Sequence, residues 1–464
     1  MSAAGGLVPP GPPRRDAPTI LRRLRADRLG LMRDAVDEYG DAVRVSIGPK
    51  KLYIFNHPNH AKHVLADNAA NYHKGIGYTE AKRALGDGLL TSEGSLWKEQ
   101  RRTIQPVFQH KRLAARADLI VDEALGLVER LRDHQGTGRP VDVLTEVTTL
   151  TLGVLGSTLL DVDLGAFESV EHSFEAVQNQ AMFDMETLGL VPQWLPLKGQ
   201  RAFRAARAEL ERVVAVLVAH RKANPVASGD DLLTRLIEST AAATDRRVAG
   251  RRMRDELVTL LLAGHETTAS TIGWTLHLVG KNPVVRDRLH QEASAVYGDR
   301  RPSYDDLPRL RYTNMVLQEA MRLFPPVWIL PRRAVGDDEV GGYRVPAGAE
   351  VLICPYILHR HPRYWPEPDR FDPERFDPDK PVERPRYAHL PFGAGPRFCV
   401  GNHLGMMEAT FVISTLMRDL VLEQARGSRV VPEPMMSLRL GGGLPMTVRS
   451  WAADRATPDR HHGG

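Results

Sequence analysis

A chain of 464 residues, 42% hydrophobic and 26% charged, can bury a large core and has the composition of a soluble globular protein. The net charge of +5 comes from arginines scattered along the chain. No Lys/Arg-rich run with interleaved aromatics occurs, so no nucleic-acid partner is expected. Two cysteines, Cys354 and Cys399, are too few for a disulfide framework and point to a reducing, cytoplasmic setting.

The N-terminus through residue 18 is rich in Pro and Gly and lacks a long apolar run. Neither a signal peptide nor a membrane span is expected there, and this segment and the tail 456–464 are expected to be disordered. Alternating patterns predict strands at Ala42–Ile47 and Lys51–Ile54. From about residue 95 to 325 helical spacing dominates. Arg112–Arg132, Val141–Leu160, Gln200–Arg221, Asp231–Ser239 and Arg251–Gly280 place apolar residues on one face and charges on the other. In the last of these, apolar Leu257–Ala263 runs directly into His265, Glu266, Thr267 and Thr268, so it is no membrane span. Strands follow at Gly342–Val345 and Glu350–Ile353, divided by the turn Val345-Pro-Ala-Gly348. Pro362–Pro396 is dense in Pro, Asp, Arg and aromatics. It is too long for a casual loop, which predicts order through contacts and a functional role. The expected fold is one mainly α domain with small β-sheets (α+β) over residues 19–455.

The sharpest segment is PFGAGPRFCVG, Pro391 to Gly401. A lone free cysteine is more often a small buried filler than a ligand. Here Gly393, Gly395 and Gly401 let the backbone approach the sulfur closely, and a predicted helix from Asn402 to Leu420 puts Cys399 at a helix N-terminus. The dipole and free N–H groups there stabilise a thiolate, and Arg397 adds a cation. Phe392, Gly393, Gly395, Arg397, Cys399 and Gly401 resemble the haem-binding loop of the cytochrome P-450 family at every fixed position. By composition such a match arises on the order of once in 100,000 chains. The resemblance implies that fold, haem b, and Cys399 as the iron ligand.

Three further motifs resemble the same family and lie in its order. In LLLAGHETTAS, Ala263 and Gly264 are small residues for a helix crossing a haem, and Glu266 and Thr267 pair an acid with an alcohol suited to delivering protons to bound dioxygen. His265 is read as a polar-network residue. Glu319 and Arg322 share a helix face, and with Arg375 the resemblance makes them a buried cluster supporting the haem loop. Trp97 and Arg101, four apart on a helix, and Arg332 (or its neighbour Arg333) resemble groups that bind haem propionates. Cys354 is read as an apolar filler.

The resemblance implies a monooxygenase that uses O2 to oxidise a hydrophobic small molecule, such as a terpenoid, polyketide or lipid of secondary metabolism. Val327, Trp328, Ile329 and Met436, with Met182, Phe183, Met185 and Leu188, would line its pocket. Thiolate ligation favours O–O cleavage. With no flavin domain in the sequence, electrons are expected from a separate ferredoxin and its reductase, docking near Lys98, Arg102, Lys111 and Arg112. A peroxide-using or rearranging enzyme of the same fold, or an oxidative coupling enzyme, is the alternative. The pairing of Glu266 with Thr267 argues for the oxygen-dependent reading.

Overall fold

The computed structural model describes residues 6–47, 50–162, 164, 169–187, 191–192, 194–224, 231–241 and 245–451. It is helix-rich, with four small sheets among the described residues. The predicted helices are present with shifted ends: His110–Ala114 and Ala117–Arg132, Val143–Leu155 with a widened turn Gly156–Leu160, Lys198–Ala223, Leu232–Ala241, and Arg246–Val279. Arg116 lies outside helical geometry and breaks the first of these in two. Helices Ser169–Glu186 and Pro283–Tyr297 were not legible from the pattern.

The main helical core packs Val143–Leu155 and the cysteine-following helix Asn402–Asp419 against the 34-residue central helix Arg246–Val279. Val143–Leu160 alone among the described helices is long and apolar enough to cross a membrane, yet 61% of it is buried. Its apolarity serves packing on the central helix and on Ala117–Arg132.

The largest sheet has five strands in the order Ala42–Ile47, Lys50–Phe55, Glu350–Ile353, Leu330–Ala334, Tyr72–Lys74. All pairs are antiparallel except Lys50–Phe55 with Glu350–Ile353. In this register Lys74 lies directly opposite Arg332. A three-stranded sheet joins Val141–Asp142, Pro445–Ser450 and Leu420–Gln424, and a hairpin pairs Val431–Pro434 with Leu438–Gly441.

The N-terminal expectation needs correction. Residues 6–16 lie along the sheet edges: Leu7 N–H donates to Gly342 O (3.0 Å), Arg344 N–H to Leu7 O (2.9 Å) and Arg44 N–H to Pro10 O (2.8 Å). The Pro-rich strap forms only one short 3-10 turn, Arg14–Asp16, but its Leu7 and Pro10 carbonyls satisfy unpaired strand donors. Helices Ala17–Ala26 and Arg28–Tyr39 follow at once. The tail 456–464 lies outside the described residues.

The first part of the Pro362–Pro396 stretch, through Arg375, is tied to one buried cluster. Arg322, fully buried, pairs with Glu319 in a bidentate contact from Nε and Nη2 (2.6 and 2.7 Å). Its remaining N–H groups donate to the carbonyls of His359, Pro368 and Arg370. Asp372 N–H donates to Glu319 (2.9 Å) and Arg375 Nε stands 3.4 Å from it. One carboxylate and one guanidinium thus satisfy the backbone of a loop that has no ladder of its own.

Candidate functional site

Between the central helix and the cysteine loop lies a largely apolar cavity of about 1220 Å³. Leu262, Ala263, Glu266 and Thr267 form one wall; Phe392, Gly393, Cys399, Val400 and Gly401 lie on another. Ala263 and Cys399 are each more open than the residues beside them, and both line the cavity. The volume exceeds the roughly 300–1,000 Å³ of an ordinary ligand pocket, enough for two occupants together.

The loop geometry follows from its glycines. Gly393 and Gly395 have φ of +71° and +65°, and a Cβ on Gly395 would fall 1.9 Å from Leu65 O. Gly401 has ordinary φ, −93°, and is the N-cap of Asn402–Asp419; a Cβ there would touch the Phe108 ring only at ordinary contact distance, 3.4 Å. Cys399 N–H donates to Phe392 O (3.0 Å), closing the loop. Burial pushes the Cys399 thiol up, while the Gly401 N–H and Arg101 favour its thiolate. A bound metal cation would decide the balance, since a coordinating thiol is deprotonated.

Opposite, the hydroxyls of the central helix bond back one turn: Thr267 to Ala263 O (2.8 Å), Thr268 to Gly264 O (3.2 Å), Thr271 to Thr267 O (2.9 Å). Gly264 is small for packing as well as for the cavity, because a Cβ there would meet Leu155 Cδ1 at 2.2 Å. His265 is buried against Phe174 with Nδ1 2.6 Å from Leu261 O, off the cavity wall. Glu266 is held from two distant elements: Gln178 Nε2 donates to it at 2.6 Å and Ser437 Oγ at 2.8 Å, and Arg439 Nε lies at 3.3 Å.

A cationic cluster lines another side. Arg332 is buried and its one side-chain hydrogen bond goes to its own neighbour Pro331 O; Arg333 instead pairs with Glu350. Arg397 donates to Ser92 O, pairs with Glu93, stacks over Trp97 at 4.1 Å and keeps one buried nitrogen without a partner. Lys74, which sequence reasoning missed, completes the set; burial and the nearby Arg332 and Arg397 push it well below the usual ammonium range. Three cations thus share one carboxylate, Glu93, and two of them oppose each other across a strand pair, an arrangement that is ordinarily destabilising. Arg101 does not join them. Its guanidinium donates to Phe398 O (2.8 Å) on the sulfur side of the loop. Its i,i+4 spacing with Trp97 fixes a shared face, not a shared partner.

Of the remaining predicted wall residues, Met182, Val327, Trp328, Ile329 and Met436 line the cavity, and Trp328 donates to Met435 O (2.8 Å). Phe183 is not on the described wall, the Met185 side chain is not described, and Leu188 lies outside the described residues. Additional walls come from Pro18–Arg28, Ile47, Leu52, Phe108, Leu155 and Leu159. Cys354 is the expected filler: buried, hydrogen-bonded to Trp328 O and pushed up to about 12 by burial.

A loop-held thiol and the small residues of a long helix share this chamber with the buried basic side chains Lys74, Arg332 and Arg397, a donor set suited to a metal-bearing group with acidic substituents. A Cytochrome P450 family model matches residues 9–444, and the chain belongs to that family. Relatives include "Cyclooctatin synthase" of Streptomyces melanosporofaciens, 36% identical over 87% of each chain. "Cyclooctat-9-en-7-ol 5-monooxygenase" from the same organism is 34% identical over 82% of each. "Protein LUTEIN DEFICIENT 5, chloroplastic" of Arabidopsis thaliana is 29% identical over 88% of this chain and 72% of its own. The protein is therefore an oxidoreductase of a monooxygenase family whose members bind haem b through a cysteine thiolate. The residues present fit that cofactor: a thiol at the cavity wall, apolar surroundings for a porphyrin, and the basic side chains Lys74, Arg332 and Arg397 for its propionates.

Proposed function

We propose that this chain is a haem-thiolate monooxygenase that hydroxylates a hydrophobic secondary metabolite of the terpenoid kind, in the cytoplasm, with electrons from a separate ferredoxin and its reductase. The observation that carries the reading is the pairing across one cavity of Cys399 with Ala263 and Thr267. Haem held there supplies oxygen activation. Cys399 would hold the iron, and Lys74, Arg332 and Arg397 the propionates, with Trp97 supporting Arg397. Arg101 fixes the Phe398 carbonyl and so positions the sulfur. Thr267 keeps a hydroxyl at the wall for hydrogen-bonding an oxygen ligand. Glu266, tied to Gln178, Ser437 and Arg439, is the acid that stands next to Thr267 for proton delivery. The cyclic alkenol in the name of one relative supports a terpenoid substrate, and the apolar lining agrees.

Lys98, Arg102 and Lys111, all exposed, and half-buried Arg112 would form the docking face for the ferredoxin; beside Lys111 the His110 and His403 rings meet at 3.8 Å and join that segment to the start of the cysteine helix. An acidic ferredoxin suits that face. The deciding experiment is the carbon-monoxide spectrum of the reduced protein. The thiolate-type band is expected in the native protein and lost in Cys399→His; a histidine-type band in both overturns the assignment.

A further inference from the structure

We propose that the cavity mouth selects an amphiphile: a substrate whose apolar body enters the chamber and whose far end carries an anion, a carboxylate or phosphate, held by Arg22, Arg25 and Lys50. This deepens the monooxygenase reading and rests on it.

The outer wall of the cavity is the helix Ala17–Ala26, through Pro18, Leu21, Arg22 and Arg25. These positions recur at helical spacing and form one stripe. That helix buries only Ile20, so its cavity-facing stripe is not core. Leu21 remains 47% exposed at the mouth. Ile47, Lys50 and Leu52 face it from the sheet edge. Apolar and cationic side chains therefore alternate round the rim, while deeper walls turn apolar with Met182, Val327, Trp328 and Met436.

The rim cations differ in commitment. Arg28 is fully engaged, with Glu186 at 2.5 Å and Pro434 O at 2.7 Å. Glu186 is the only carboxylate among the described rim residues, and Glu433 lies near enough to act on Arg28 as well. Arg22, Arg25 and Lys50 have no hydrogen bond or ion pair among the described residues. Three uncommitted cations around an apolar opening attract an anion and leave the apolar tail the inward path. A neutral ligand gains nothing from them. They stand apart from Lys74, Arg332 and Arg397, which face the cofactor.

Exposed ion pairs are individually weak, each a factor of about two to five in affinity, so two acting together give roughly tenfold. The test uses the haem-loaded protein with dodecanoate, dodecyl phosphate and dodecan-1-ol, with Kd read by calorimetry and by the haem spin-state band. At low ionic strength at least one anion should bind roughly tenfold tighter than the alcohol, and about 0.5 M salt should erase that margin without weakening the alcohol. Arg22→Gln/Arg25→Gln/Lys50→Gln should lose the margin, and Arg22→Lys/Arg25→Lys should keep it. The better of the two anions identifies the end group. Equal binding of anion and alcohol, or a margin indifferent to salt or to the triple change, overturns the proposal. An unchanged carbon-monoxide spectrum in the variants keeps that failure separate from a failure of the haem-thiolate assignment.

Discussion

Substituting the two glycines of the cysteine loop by alanine separates conformational strain from a steric clash. Gly393 and Gly395 both occupy the left-handed region, at φ +71° and +65°. For an alanine that conformation costs about 1–2 kcal/mol. Gly393 has nothing within 4 Å of an added Cβ, so Gly393→Ala should show that cost alone. At Gly395 the added carbon would stand 1.9 Å from Leu65 O, 2.8 Å from Leu65 C and 3.0 Å from Ala66 Cα. All three are backbone atoms, and Val64 and Leu65 are buried beside them, so no flexible side chain can yield. Overpacking of this kind costs a further ~1–3 kcal/mol. Gly395→Ala should therefore lose about 2–5 kcal/mol, measured from urea midpoints of the haem-loaded protein. It should also lower the thiolate-type carbon-monoxide band, because relief moves the Cys399 loop. If the two alanines cost the same within ~0.5 kcal/mol, the close approach to Leu65 does not hold the loop.

Glu319→Gln removes the carboxylate from a fully buried pair and leaves Arg322 uncompensated; a loss of about 3–5 kcal/mol and little soluble haem protein are expected, read by denaturation and haem content. Burial and Lys281 depress His277 from 6.5 to about 4. Between those values the unfolded chain binds the proton and the folded one does not, so this contribution is intact above pH 6.5 and is lost as pH falls through the window. It amounts to roughly 3 kcal/mol, and His277→Phe should flatten the stability profile between pH 6.5 and 4. Thr267→Val removes the hydroxyl from the cavity wall and keeps the shape. Product per O2 consumed should fall on the order of tenfold or more while substrate affinity holds, whereas unchanged coupling excludes Thr267 from oxygen handling.

What the sequence disclosed follows the range of the interactions. The Cys399 loop was legible because its demands are local: two positive-φ glycines, a helix start and a sulfur within eleven residues. Glu319 and Arg322 were legible for the same reason, being one helical turn apart. Lys74 was not. A single lysine in a three-residue strand becomes notable only when that strand pairs with Leu330–Ala334 and sets it opposite Arg332, some 260 residues away. Glu266 was identified, yet its partners Gln178, Ser437 and Arg439 come from two elements that share no pattern with it. The N-terminal strap misled for a related reason. Its composition forecast disorder, since it forms no core, but the hydrogen bonds that order it belong to the sheet.

Lys74, Arg332 and Arg397 join these two ranges. Each belongs to a different segment: a strand at the sheet edge, its neighbour in the same sheet, and the cysteine loop. Together they face a single carboxylate, Glu93, whose oxygens are already shared between the Lys74 backbone N–H and Arg397. In an apolar cavity such a grouping is unfavourable for the protein alone: burial first, and then Arg332 and Arg397, push Lys74 well below the usual ammonium range. Lys74, Arg332 and Arg397 would hold the acid groups of an anionic cofactor and so tie the sheet to the loop that carries Cys399. Whatever binds there and not to the unfolded chain stabilises the fold by mass action. The charges that would position haem also make the folded chain depend on it.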